Sequence, residues 1–174
     1  MVKLLREKDE LNEQEWDRVF QQIDENEEKG VSNHAIFSAL TTGQLEQLVI
    51  EAPDLFASLG KDYAKYAHGP FDFDYCDVIA TRAEVFYTCG ELDLKAVIAL
   101  AMLELGTSHN RWFVERKFVQ MAGPSISDEL AERIAAEIDV QKYDFSRAVA
   151  HLEHSITVSR KDLHPTLAKK AGDK

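Results

Sequence analysis

Three polar side chains near the end of the chain are the residues best suited to chemistry. Advancing 100° per residue from Phe145, the apolar Phe145, Val149, Leu152 and Ile156 fall within about 60° of arc, and Arg147, His151 and His154 fall near 180–240°. A helix here carries a polar ridge for which its core has no use. An arginine on such a ridge can stabilise phosphate charge, and a histidine can give or take a proton near neutral pH. Arg147 and His154 form the candidate catalytic pair, with His151 adjacent. The plainer reading of the same ridge is a solvated face; between the two stands a partner-binding or dimer ridge, tunable by pH, with Arg147 and His151 as contact residues.

The spacing Arg147-x6-His154 resembles the Arg-x(4–6)-His pattern of the HEPN ribonucleases, which are also small all-α domains. That resemblance implies a homodimer that brings two ridges together and cleaves RNA without metal. Arg147 would hold phosphate charge and His154 would act as acid or base. The residue after the arginine is usually polar in that family, and here it is Ala148.

A second candidate is His109-Asn-Arg111-Trp112-Phe113-Val-Glu-Arg116-Lys117-Phe118. Aromatic and arginine side chains together mark binding hot spots. Arg111, Trp112, Arg116 and Lys117 are therefore candidate binding residues. The competing reading is a core helix that turns Trp112 and Phe118 inward and leaves Arg116 and Lys117 in solvent. A third candidate, Asp72-Phe73-Asp74-Tyr75-Cys76-Asp77, has acids enough for a hard cation. An EF-hand would need Gly and Glu where Asp77 and Ala83 stand, so a helix cap explains these acids better. His151 and His154 lack the further ligands zinc requires. No glycine-rich phosphate loop and no Gly-x-Ser-x-Gly occurs. The expectation is no metal and no cofactor.

The elements that must hold these residues read as helices. Trp16, Val19, Phe20 and Ile23 form one stripe, opened by Asn12 with Glu15 and closed by Gly30. Ser32 opens a short helix burying Ile36, Phe37 and Leu40. Further stripes follow: Leu45, Leu48, Val49 and Ala52, then Leu55, Phe56, Leu59, Tyr63 and Tyr66 after Pro53. Ile79, Ala83 and Phe86 belong to a helix ending at Gly90. Residues 92–105 are apolar almost all round, the pattern of a buried central helix ending at Gly106. Trp112 to Met121 and Leu130 to Ile138, capped by Ser125 or Ser127, complete the set before the ridge helix. No alternating strand pattern appears. Ala39-Leu-Thr-Thr-Gly43-Gln-Leu45-Glu46 resembles the turn between the helices of an ankyrin repeat and implies a helix hairpin, with no second copy at that period. The prediction is an all-α fold of about eight helices, a compact bundle or a short helix-hairpin solenoid. It spans 1–158 as one domain, with 159–174 as a basic, mobile tail.

The 174 residues carry 20 Lys+Arg against 31 Asp+Glu, a formal net charge of -11. That balance argues against general nucleic-acid binding, which needs excess cation to neutralise phosphates. Residues 1–30 hold ten acids and five bases. Cys76 and Cys89 lie about 20 Å apart along one helix, too far for a disulfide. No stretch suits a signal peptide or a membrane span, so a cytoplasmic protein is expected. Together these features point to a small acidic regulatory protein of immunity, inhibitor or adaptor type. It would act by surface complementarity on a protein partner of basic character. The alternatives are the HEPN-like ribonuclease and a helical subunit of a larger assembly.

Overall fold

A helix with no polar face must be wrapped on every side, and that requirement organises this molecule. In the computed structural model, which describes residues 1–66, 76–109, 112–155 and 159–172, the central element is α7 (Leu92–His109). Its Leu94, Ile98, Leu100, Met102, Leu103 and Leu105 are all buried. Five helices pack directly on it: α5 (Pro53–Tyr66), α6 (Cys76–Cys89), α8 (Trp112–Ala122), α9 (Asp128–Gln141) and α10 (Phe145–Ser155). Contacts to elements both before and after α7 in the chain make this a bundle. A solenoid would touch only its nearest neighbours. α7 runs through Gly106, where the sequence suggested an end. Glu115 of α8 approaches closest there, and a Cβ at Gly106 would meet its side chain at 2.9 Å.

The N-terminal third is laid against this bundle by α1 (Val2–Arg6), α2 (Glu13–Glu28), α3 (His34–Phe37) and α4 (Thr42–Glu51). Asn12 and Glu15 form the expected capping box on α2, and Gly30 takes a positive φ of 63° just beyond its end. Two glutamines of α4 hold the segment before α2. Gln44, fully buried, donates from Nε2 to the Leu5 and Lys8 carbonyls at 3.0 and 2.7 Å. Its Oε1 accepts the Thr41 amide at 3.1 Å. Gln47 donates to the Leu11 carbonyl at 3.0 Å and accepts the Leu11 amide at 3.3 Å. Main chain that forms no regular ladder there is satisfied by side chains instead.

Eleven α-helices and no strand stand among the described residues, the all-α architecture the sequence predicts. Eight of them have seven residues or more, and α1, α3 and α11 (Pro165–Lys170) are shorter. Where the sequence suggested a basic tail, the structure describes a packed helix, α11. Residues 160–162 form a 3-10 turn, and α11 packs against α9. Leu163, Leu167 and Ala171 are buried. His164 caps α11 by accepting the Thr166 amide on Nδ1, and its Nε2 lies 3.1 Å from Asp128 Oδ1 at the start of α9. Ser146 of α10 donates to the Ala171 carbonyl at 2.7 Å. Lys161 and Lys169 stay at the surface of this segment while its apolar side sits in the core.

Two substitutions test these anchors by urea denaturation. Leu167→Ala is expected to lower stability by about 2–4 kcal/mol, the cost of emptying a buried leucine site. Gln44→Leu is expected to cost about 2–3 kcal/mol by orphaning two carbonyls and an amide. An unchanged midpoint for Leu167→Ala would return 159–174 to a loose tail.

Candidate functional site

The ridge of α10 is built where α9 stops. Lys142 takes the left-handed conformation at φ 52°, ψ 39°, and its amide bonds back to α9. That reversal aims Tyr143 towards the end of α7 and sets Asp144 at the start of α10. Asp144 Oδ1 accepts the Arg147 amide at 3.1 Å, a side-chain cap. Phe145, Val149 and Leu152 face the core, as their spacing requires. Ile156 lies outside the described residues.

Arg147 and His151, one turn apart, open onto a cleft of about 300 Å³ lined also by Thr107, Tyr143, Asp144 and Ala148. His154 is exposed and does not line this cleft. The structure therefore joins Arg147 to His151 rather than to His154. Burial pushes the Tyr143 phenol above its ordinary pKa, opposed by a hydrogen bond with Thr107 and reinforced by the charges of Glu104 and Asp144. Tyr143 is accordingly a protonated donor at neutral pH, not a base. One guanidinium, one phenol and one imidazole in a shallow cleft can hold an anionic or polar group.

The described part of the basic aromatic stretch, 113–118, divides between core and surface. Val114 and Phe118 are fully buried, and Glu115 is buried beside them. Arg116 is exposed, and Lys117 reaches Glu84 of α6 at 2.5 Å. Arg111 lies outside the described residues, as does the side chain of Trp112, which begins α8. The segment 67–75, which holds Asp72 and Asp74, also lies outside them. Neither Arg116 nor Lys117 lines the cleft of Arg147 and His151. Among the described residues no group of three or more His, Cys, Asp or Glu side chains could hold a metal ion. No described helix is long and apolar enough to cross a membrane. Cys89 carries a free thiol, raised above its ordinary pKa by burial and by nearby Glu46, with Lys95 opposing.

A second cleft of about 390 Å³ lies between α2 and α4, lined by Glu13, Trp16, Asp17, Phe20, Gln47 and Glu51. Trp16 and Phe20 stack there with centroids 5.5 Å apart. The Trp16 indole N–H is buried without a hydrogen-bond partner. Glu13, Asp17 and Glu51 have no cationic partner among the described residues. The sequence stripe already showed Trp16 and Phe20 but placed both in the core. It held no signal that α4 would bring Glu51 and Gln47 alongside, because that pairing is set by tertiary packing.

Two measurements follow from the ridge. Lys142→Gly removes a side chain from a left-handed position and is expected to stabilise the fold by about 0.5–1 kcal/mol. Tyr143 ionises later in the folded than in the unfolded chain. Stability is therefore complete below the unfolded phenol value and falls as pH rises through the folded one. A Tyr143→Phe variant is expected to lose less stability than wild type between pH 9.5 and about 11 in urea titrations. Equal losses would place Tyr143 in an ordinary solvated setting. Comparison of the chain with known families, curated proteins and solved structures finds no match in any of the three.

Proposed function

We propose that this chain is a non-catalytic binding protein that engages a basic protein partner through its acidic N-terminal face. The observation that carries the reading is the cleft between α2 and α4. Three carboxylates without cationic partners among the described residues surround a stacked aromatic pair. A lysine or arginine from a partner gains two interactions there, a charge pair at the rim and contact with an aromatic ring. The net charge of -11 extends the same preference over long range and speeds encounter with a basic surface. Arg116 and the Arg147–His151 ridge belong to the same proposal as further contact surfaces. A cytoplasmic setting and an inhibitor, immunity or adaptor role belong to the same proposal.

The test is affinity capture of tagged protein from lysate at about 150 mM salt, where the Debye length is about 8 Å. It is run with and without nuclease and repeated with Glu13→Lys/Asp17→Lys/Glu51→Lys. A stoichiometric basic protein is expected to survive nuclease and to bind the triple variant at least tenfold more weakly. Charge reversal that leaves partner binding unchanged would refute the acidic-face reading. RNA recovered and cleaved in EDTA by wild type, but not by His154→Ala, would replace it with the ribonuclease reading.

A further inference from the structure

A third cleft has a different character. It lies over α7 between α5 and α9, with a volume of about 500 Å³. Three helices build it from the same spacing of i, i+3, i+4. α5 gives Lys61, Ala64 and Lys65; α7 gives Asp93, Ala96 and Val97; α9 gives Arg133, Ala136 and Glu137, continued one turn on by Val140 and Gln141. Each triplet lies on one helix face. The result is a groove with small apolar residues along its base and long charged side chains along its walls.

Val140 is the first sign of an apolar surface in this groove that the core does not use. It is 76% exposed, while Ile134 and Ile138 of the same helix are buried. Val140 lies 200° from Ile138 around the helix, out of phase with the face that serves the core. An exposed valine by itself is ordinary. Here it stands at the groove wall beside exposed Ala136 and half-buried Val97.

Charge is the second sign. Lys61 has no ion-pair partner among the described residues, and Lys65 pairs only with exposed Asp62, at 3.1 Å. Arg133 bonds Asp93 across the groove at 2.7 Å. That pair also lines an adjoining cleft of about 430 Å³, which carries Lys95 and Glu91 over the start of α7. The two clefts therefore form one channel along α7, with the Asp93–Arg133 pair as the saddle between them. Its four bases outnumber its three acids in a chain whose overall charge is -11.

We propose that this groove docks an amphipathic helix of a partner protein, with apolar residues at i, i+3/i+4 and i+7 and an acidic edge facing Lys61 and Lys65. Two helices flanking a third leave a slot shaped for another helix, and small residues at its base let the incoming backbone approach closely. No sheet edge exists among the described residues to pair with an extended peptide. Acidic side chains on the partner would meet the α5 lysines, and a basic one on its far edge would meet Glu137. This inference rests on the reading of the protein as a binding module and gives it a second surface. That surface is distinct from the α2–α4 cleft and of opposite charge preference.

The experiment is selection of a phage-displayed library of 14-residue peptides on the full chain. Enriched peptides are then measured against three variants: Val140→Asp, Lys61→Glu/Lys65→Glu and Glu13→Lys/Asp17→Lys. All the substituted side chains lie at the surface or line a cleft, and melting by circular dichroism verifies the fold of each variant. Enriched sequences are expected to carry the apolar helical period with flanking Asp or Glu. They should bind the first two variants at least tenfold more weakly and the third unchanged. Peptides that bind both groove variants with full affinity overturn the proposal. Peptides sensitive only to Glu13→Lys/Asp17→Lys also overturn it, while leaving the acidic-face reading standing. A selection with no enriched helical peptide overturns the groove, and the acidic-face reading then depends on its own capture experiment.

Discussion

Everything in this fold answers to α7, a helix of eighteen residues whose side chains are apolar on nearly every face. Such a helix is insoluble by itself and stable only when its neighbours remove it from water. Each surrounding helix carries one apolar stripe, which is sufficient to cover one side of α7. The charged residues of α7 are confined to its margins. Asp93 sits in the first turn, where the helix dipole favours an anion, and pairs with Arg133 of α9. Lys95 lies 5.9 Å over the ring of Tyr87 on α6. The central helix thus fixes which faces of α5, α6 and α9 point inward. By exclusion it also fixes which residues are left at the surface.

The parts of this arrangement legible in the sequence are those encoded within one turn or one stripe. Asn12 and Glu15 announce a helix start because a capping box is local chemistry, and Ser127 does the same for α9. Trp16, Val19 and Ile23, or Phe145, Val149 and Leu152, announce buried faces because burial follows the helical period. The docking of α11 was hidden by its shortness. Leu163, Leu167 and Ala171 repeat every four residues, but two turns with an alanine in the third place do not stand out from a loop. The basic residues around them suggested solvent. The end of α9 was hidden for another reason. Lys142 occupies a conformation that sequence rules reserve for glycine or asparagine, so no stop signal was written there.

The candidate sites were legible to a lesser degree, and the reason is geometric. Arg147, His151 and His154 share one helix face, and the sequence could place them there. Which of them meets Thr107 and Tyr143 depends on the angle at which α10 leaves α9, a property of the Lys142 reversal and of packing on α7. The same holds for the α2–α4 cleft. Its acids sit in two helices, with Asp17 and Glu51 more than thirty residues apart in the chain, and the clamp of Gln44 and Gln47 on residues 5–11 helps to bring them together. Val140 was the one local clue to the groove over α7: an apolar residue in the wrong phase of an otherwise regular stripe.

The distribution of charge gives these surfaces a common physical logic. An acidic chain repels acidic partners at long range, so an acidic helix can dock only where local cations outweigh the average field at short range. Lys61, Lys65, Lys95 and Arg133 supply that local excess within the channel along α7. The carboxylates of the α2–α4 face reinforce the overall field instead of opposing it. A basic partner at α2–α4 would therefore be drawn in from a distance and would lose affinity steeply with salt. An acidic helix in the groove would be held by contact, with apolar burial supplying the main part and the lysines selecting orientation. Raising ionic strength would weaken the first interaction and relieve the long-range repulsion that opposes the second. The two surfaces would then respond to salt in opposite directions, a consequence of placing a cationic groove on an anionic body.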